Sequence, residues 1–264
     1  VPRERAAWHP ARRCGHSREA AVIARGEGWE MRLGDCLEVM LTLGKVDHII
    51  TDPPYDERTH KNAATKADCT RDNRGVSFAH LPSSADTAVA LLALAKRWVL
   101  AFCAVEQIAG YALGAGLSWV RAGAWDKIAP APQISGDRPG QAIEGIAIMH
   151  APGRKRWNRG GGAGIWRHLP PHGDERPDHP TPKPVPLMLA LVADFSDPGE
   201  TVLDPFAGSG TTGVACLRLG RKFIGIEKDP AYFALACERL RAEEQGSTLQ
   251  ASRAGQMALL GGGK

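Results

Sequence analysis

The sequence predicts an α/β fold, a mostly parallel sheet of seven strands with helices on both faces. Three observations carry that expectation. Short apolar runs alternate with stretches of helical period along the middle of the chain. Some of those runs climb to an acid and stop at a turn signal, as VDHIITDPPY does at 46–55. One stretch, TVLDPFAGSGTTGVACLRLGRKFIGIE at 201–227, sets a strand, a glycine turn, a helix and a second strand in immediate succession.

Taken in order, strands are expected at 30–34 (EMRLG), 46–51 (VDHIIT), 98–103 (WVLAFC), 118–124 (SWVRAGA), 143–149 (IEGIAIM), 201–204 (TVLD) and 222–226 (KFIGI), each a short run with apolar residues. Helices are expected at 85–96, where Ala and Leu dominate, and at 185–195, 211–219 and 230–243. Gly220 stands where a helix C-terminus favours glycine, and Asp229-Pro230 supplies an acid for an N-cap and a proline for a first helical position. Around a domain of 27–243, residues 1–26 and 244–264 read as loose ends, the first rich in Arg, Ala and His and the second closing in Gly and Ser. Polar residues 56–80 read as a mobile loop directly after the DPPY corner.

The chain has 264 residues, enough for one large domain, and 43% hydrophobic residues, enough for a sizeable core. A formal net charge of only +4 means that any nucleic-acid surface must be local. No apolar stretch reaches bilayer length, and the charged start VPRERAAWHPARRCGH is not followed by the apolar core of a signal peptide, so a soluble, cytoplasmic protein without a membrane partner is expected. Six cysteines, at 14, 36, 69, 103, 216 and 237, form no CxxC pair and suit reduced thiols. Cys14 with His9 and His16 makes a poor metal site, and no metal is expected. Between 150 and 183 seven cations, among them Arg154, Lys155, Arg156, Arg159 and Arg167, stand against three acids, with Trp157 and Trp166 on either side of Gly160-Gly161-Gly162. Cations interleaved with aromatics suit phosphate neutralisation and base stacking; a solvated loop with two tryptophans tucked beneath it fits the same pattern.

Two turns carry the candidate chemistry. Proline has no N–H for a sheet ladder and keeps the preceding residue extended, so Pro53 and Pro54 close the strand at Asp52 and fix where its carboxylate points. In the second turn the backbone at Gly208 and Gly210 can approach a ligand closely. Glu227, at the next strand end and nineteen residues beyond Gly208, can hold ribose hydroxyls, which makes the layout that of a nucleoside site. Gly213 completes the pattern G-x-G-x-x-G and keeps a dinucleotide reading open. Asp204 weighs against it, because a carboxylate repels a pyrophosphate and attracts the sulfonium and ammonium of S-adenosylmethionine.

With DPPY at 52–55 and DPFAGSGTT at 204–212, the chain resembles the S-adenosylmethionine-dependent DNA amino-methyltransferases. The order of the two motifs is similar to that of the beta group, which is circularly permuted relative to the alpha and gamma groups. HPTPKP at 179–184 is similar to the family's HPTQKP, with Pro182 in place of the glutamine and so without its amide. Gly34-Asp35-Cys36 is similar to the GD that precedes DPPY in such enzymes. The likeness covers about residues 30–240. It implies a Rossmann-like methyltransferase sheet, S-adenosylmethionine as cofactor, double-stranded DNA as partner and a target-recognition insertion at about 125–178. The motifs leave open a homodimer and a cognate restriction enzyme. The cofactor contacts implied fall on Asp35 and Cys36 at the adenine end, and on His179, Thr181 and Lys183 at the methionine end, with Lys183 suited to the methionine carboxylate. The remaining ones fall on Asp204, Pro205, Phe206, Gly208, Ser209, Gly210, Thr211, Thr212 and Glu227.

The resemblance assigns catalysis to Asp52, Pro53, Pro54 and Tyr55. An exocyclic amine of a base is a poor nucleophile because its lone pair is delocalised into the ring. An ionised Asp52 accepting one N–H and the Pro53 carbonyl accepting the other would concentrate that pair on nitrogen, facing the sulfonium methyl. Tyr55 offers a ring on which an extruded base can stack. N6 of adenine is the expected target, since DPPY resembles the adenine enzymes more than the cytosine ones, in which SPPY is commoner; N4 of cytosine is the alternative. An NAD-dependent oxidoreductase and an inactive DNA-binding module are the readings from other classes, and the intact DPPY corner argues against the second. DNA contact is expected from Arg154, Lys155, Arg156, Trp157, Arg159, Trp166 and Arg167. Asp35 also reads as a turn residue, Phe206 as a core aromatic, and His179 and Lys183 as an exposed helix start.

Overall fold

The structure, a computed structural model, describes residues 22–54, 83–130, 136–171 and 182–253. Nine strands among these residues pair into one sheet: β1 Ile23–Gly26, β2 Trp29–Leu33, β3 His48–Thr51, β4 Trp98–Cys103, β5 Trp119–Asp126, β6 Ile143–His150, β7 Ile165–Arg167, β8 Thr201–Asp204 and β9 Lys222–Glu227. Their spatial order is β1-β2-β9-β8-β3-β4-β6-β5-β7. The α-helices are α1 Cys36–Met40, α2 Ser84–Leu94, α3 Ile108–Ala115, α4 Val185–Phe195, α5 Thr211–Arg218 and α6 Pro230–Glu244. No helix among the described residues is long and apolar enough to cross a membrane.

All seven expected strands are present, and two more enlarge the sheet to nine. Both additions are edge strands. β1 pairs antiparallel with β2, inside the segment 1–26 that reads as loose, and β7 has three residues within the basic run. The end of α6 is also docked: Glu244 accepts the Glu27 N–H at 2.7 Å and the Trp29 indole N–H at 3.1 Å, clamping the β1-β2 turn. Beyond α6, Arg253 pairs with Glu238 at 2.6 Å, so this part of the expected tail folds back onto the helix.

Strands β2, β9, β8, β3 and β4 run parallel. Alternation along β4 divides the core between two faces, as a period of two requires. Leu100 and Phe102 join α4, α5 and α6 in one apolar cluster, while Val99, Ala101 and Cys103 join α1, α2 and α3 in the other. Close approach of α5 to the sheet depends on Gly213. A Cβ there would lie 2.6 Å from the Phe223 ring and 2.7 Å from Leu240.

Strand direction decides what shares a rim. The parallel strands end near Asp35, Glu227, Asp204 and Asp52. β6 is antiparallel to β4, with Gly145 opposite Cys103 and His150 opposite Trp98, so the start of β6, at Glu144, lies on that same rim. β5 and β7 run with β4 and bring Lys127 and Arg167 to it. Residues that follow His150 emerge on the other rim. Eight residues at about 3.3 Å each set the two ends of β6 roughly 23 Å apart.

This geometry separates several of the residues expected at DNA from the Asp52 rim. Arg154, Lys155 and Arg156 follow β6 on the rim opposite Asp52, and the Trp98 indole N–H fastens the Arg156 carbonyl there at 2.8 Å. Trp166 is 2% exposed in β7, its indole N–H donating to Asp194 at 2.8 Å. Trp157 stacks on Phe195 with centroids 6.0 Å apart. Both tryptophans are therefore tucked beneath the loop. The guanidinium of Arg159 lies over the Trp166 ring and reaches the Asp194 carboxylate at 3.7 Å. Within the stretch expected as a target-recognition insertion, β6 and β7 belong to the same sheet. Gly213→Ala should overpack the interface of α5 with β9 and lower stability by about 1–3 kcal/mol, read as a fall in the urea midpoint with an unchanged slope.

Candidate active site

The two oxygens of Asp52 have different surroundings. Oδ2 accepts a hydrogen bond from Lys183 Nζ at 2.6 Å. Oδ1 is buried with no hydrogen-bond partner among the described residues. The same ammonium lies 2.6 Å from Glu144 Oε1, and Glu144 Oε2 lies 3.1 Å from Lys127 Nζ. Charges thus alternate along Lys127, Glu144, Lys183 and Asp52. The Phe102 ring centroid sits 4.8 Å from Lys183 Nζ. Burial pushes Asp52 above the usual carboxylate range, with Lys183 opposing the shift and Glu144 adding to it. Burial alone would lower the Lys183 ammonium, but the two carboxylates outweigh it and hold it above its ordinary value.

The ammonium expected at a methionine carboxylate is engaged by two protein carboxylates. Glu144, Lys127 and Phe102 escaped the sequence reading. The available signal was an acid in the otherwise apolar strand IEGIAIM, because a carboxylate buried there has to find a cation.

Asp204, at the end of β8, is 3% exposed. Its Oδ1 accepts from Thr51 Oγ1 at 2.7 Å and from the Phe206 N–H at 3.1 Å, and its Oδ2 accepts from Thr212 Oγ1 at 2.6 Å. The side chain pins the end of β3 to the first turn of α5. Burial raises its pKa to about 6 against the pull of these bonds. Ser209 and Thr211 are buried too: Arg239 of α6 donates to the Ser209 carbonyl at 2.6 Å, to Ser209 Oγ at 3.0 Å and to Thr211 Oγ1 at 3.1 Å. The hydroxyls of 209, 211 and 212, expected to face a cofactor, instead brace the loop from behind. Pro205 is buried, and Phe206 is half-buried against the α1 to α3 face.

Of the two glycines of the turn, Gly208 is half-buried and Gly210 is buried against Ala236 of α6. Gly208 and Gly210 take φ of +51° and +79°, a region in which a side chain would be strained. Glu227 Oε2 accepts the Gly208 N–H, and Oε1 accepts the N–H groups of Lys228 and Asp229, all at 2.8 Å. Burial raises Glu227 above its ordinary value and the three amides pull against it. Beside it, Gly34 donates to the Glu227 carbonyl at 2.9 Å, and Asp35 caps α1 by accepting the Leu37 N–H at 2.9 Å. Asp35 is thus a turn residue at the rim. Cys36 next to it is buried, which pushes its thiol up to about 12 and keeps it neutral. The N–H groups of 206, 207, 208 and 210 are all engaged within the protein. A pyrophosphate loop presents such groups to its ligand, so these four donors are lost to the dinucleotide reading. The half-buried Glu227 carboxylate beside the half-buried Gly208 is chemically suited to ribose hydroxyls. Tyr55, His179 and Thr181 lie outside the described residues.

Residues 123–238 match a family model described as DNA methylase. The likeness to the DNA methylase family is thus carried by residues 123–238. The corner-first order of the chain's motifs is similar to that of the beta group of amino-methyltransferases. The match takes in Glu144, Lys183, Asp204 and Glu227 and leaves the Asp52 corner outside. Two curated relatives are similar over shorter stretches. The Type II methyltransferase M2.DpnII of Streptococcus pneumoniae is 48% identical over 67 residues, 25% of this chain and 25% of its own length. DNA adenine methyltransferase YhdJ of Escherichia coli (strain K12) is 49% identical over 67 residues, 25% of this chain and 23% of its own. The match therefore spans about a quarter of each relative. Over the fold as a whole, this chain is similar to M1.HpyAVI in its complex with SAM, with a TM-score of 0.63 and 29% identity across 80% of this chain and 100% of that one.

The Asp204 pin makes the stability of the fold depend on pH. A raised folded-state pKa means that protonated Asp204 stabilises the fold below the ordinary value of 3.8, and that this stability is lost as pH rises through about 6. Asp204→Asn cannot ionise. Between about pH 4 and pH 7 it should gain on the parent by on the order of 3 kcal/mol in urea unfolding series.

Proposed function

We propose that this protein transfers a methyl group from S-adenosylmethionine to the N6 amino group of adenine in double-stranded DNA. One observation carries the reading: Asp52 has one oxygen engaged by Lys183 and one buried oxygen with no partner among the described residues, next to a proline whose carbonyl is a second acceptor. An exocyclic amine has two N–H groups to place. The names of the relatives and of the SAM complex support the substrate and the cofactor.

Glu227, Asp35 and the backbone at Gly208 would hold the nucleoside end of the cofactor, and Phe206 borders it. When bound, S-adenosylmethionine supplies an electrophilic methyl on a sulfonium, which leaves as a neutral thioether once nitrogen attacks. The chain's own groups do the remaining work. Asp52 Oδ1 takes one N–H of the amine and the Pro53 carbonyl takes the other, turning the lone pair out of conjugation. After the N–C bond forms, the nitrogen sheds one proton, for which Oδ1 is the adjacent acceptor. No enzyme nucleophile is needed; Cys103 is buried, and burial pushes its thiol up to about 12. The target base has to leave the duplex to reach this corner.

Asp52→Asn should lower methyl transfer by on the order of 100-fold or more. Nucleoside mass spectrometry of DNA incubated with protein and cofactor checks this; N4-methylcytosine in place of N6-methyladenine would move the assignment to cytosine. DNA contact on the Asp52 rim, with Arg167 as one phosphate cation, has its own check. The triple variant Arg154→Ala, Lys155→Ala, Arg156→Ala should leave the salt dependence of DNA affinity unchanged, whereas Arg167→Ala should reduce the slope by about one unit.

A further inference from the structure

We propose that Lys183 and Glu144 are positioning residues for Asp52: the ammonium, gripped by Glu144, occupies Oδ2 and leaves Oδ1 alone facing the target amine. This rests on the methyl-transfer reading and adds the device that orients its acceptor. Three elements far apart in sequence converge here: the β3 corner, the start of β6, and the segment leading into α4. Lys183 lies 2.6 Å from each carboxylate, with its side chain 11% exposed and that of Glu144 6% exposed. Lys127 closes the array on the remaining Glu144 oxygen, at 3.1 Å.

A lone carboxylate on a turn can rotate and offer either oxygen. With Oδ2 fastened to an ammonium that is itself fastened to β6, the rotation is blocked and the acceptor is fixed. The ammonium also decides the charge. Asp52 beside Glu144 is a pair of like charges in a buried place, and without the cation one of the two takes up a proton. Other titratable groups that act on or respond to Asp52 are Lys127 after β5, Asp204 of β8, Cys103 of β4 and Tyr111 of α3. Burial holds Cys103 and Tyr111 neutral, so only Lys127 and Asp204 add charge.

Two readouts separate this proposal from the one beneath it. Carboxyl carbon NMR follows the titration of Asp52 in the protein without DNA or cofactor, and single-turnover methylation gives the acidic limb of the rate against pH. Lys183→Met should move both the Asp52 midpoint and the acidic limb upward by one pH unit or more. Glu144→Gln, which removes the like charge and keeps the size, should move both downward, and Lys183→Arg should keep both within a few tenths of a unit of the parent. Should Lys183→Met fail to fold, the opposite shift in Glu144→Gln still decides. Variants that lose activity equally at every pH, with the acidic limb unmoved, would make the array a structural clamp and overturn the proposal. Parent protein that titrates as described but methylates no DNA would overturn the methyl-transfer reading instead.

Discussion

The contact on which the site depends is one ammonium between two buried carboxylates. Isolated charges in a protein interior cost several kcal/mol each, and removing one member of such an array strands the others. Lys183 therefore makes the β3 corner, the start of β6 and the approach to α4 mutually dependent. The contact is possible only because β6 reverses direction. In a wholly parallel sheet the first residues of that strand would lie on the far rim, and Glu144 would never meet Asp52.

The neighbouring half of the rim is built by a different means. Glu227 and Asp204 take their partners from backbone N–H groups and hydroxyls. Arg239 reaches in from α6 to hold Ser209 and Thr211. Its burial lowers it to about 10, still charged near neutrality, and it faces carbonyl and hydroxyl oxygens. One half of the rim is thus set by alternating charges and the other by hydrogen bonds that stiffen a glycine turn.

Much of this was legible in the amino-acid order, and the omissions have physical causes. Apolar runs such as WVLAFC and IEGIAIM mark buried strands because both of their faces are covered, and the prolines after Asp52 mark where β3 must stop. β7, three residues long with one buried side chain, leaves no period to read. The cluster at 154–159 shows that composition carries no information about which rim a loop leaves from; only the hand of β6 decides it. The hydroxyls of the glycine loop look like ligand groups in sequence, and only their burial reveals that they point at Asp204 and Arg239. Glu144 was visible but solitary, and its significance comes from a lysine thirty-nine residues away.

The amide of Gly208, bonded to Glu227, has a consequence for life among abundant metabolites. Cells are crowded with phosphorylated adenosine compounds that share their base and sugar with the methyl donor. A glycine turn with unclaimed N–H groups would welcome all of them. Tying that amide to an acid takes one donor away from any phosphate group and sets a carboxylate in its path.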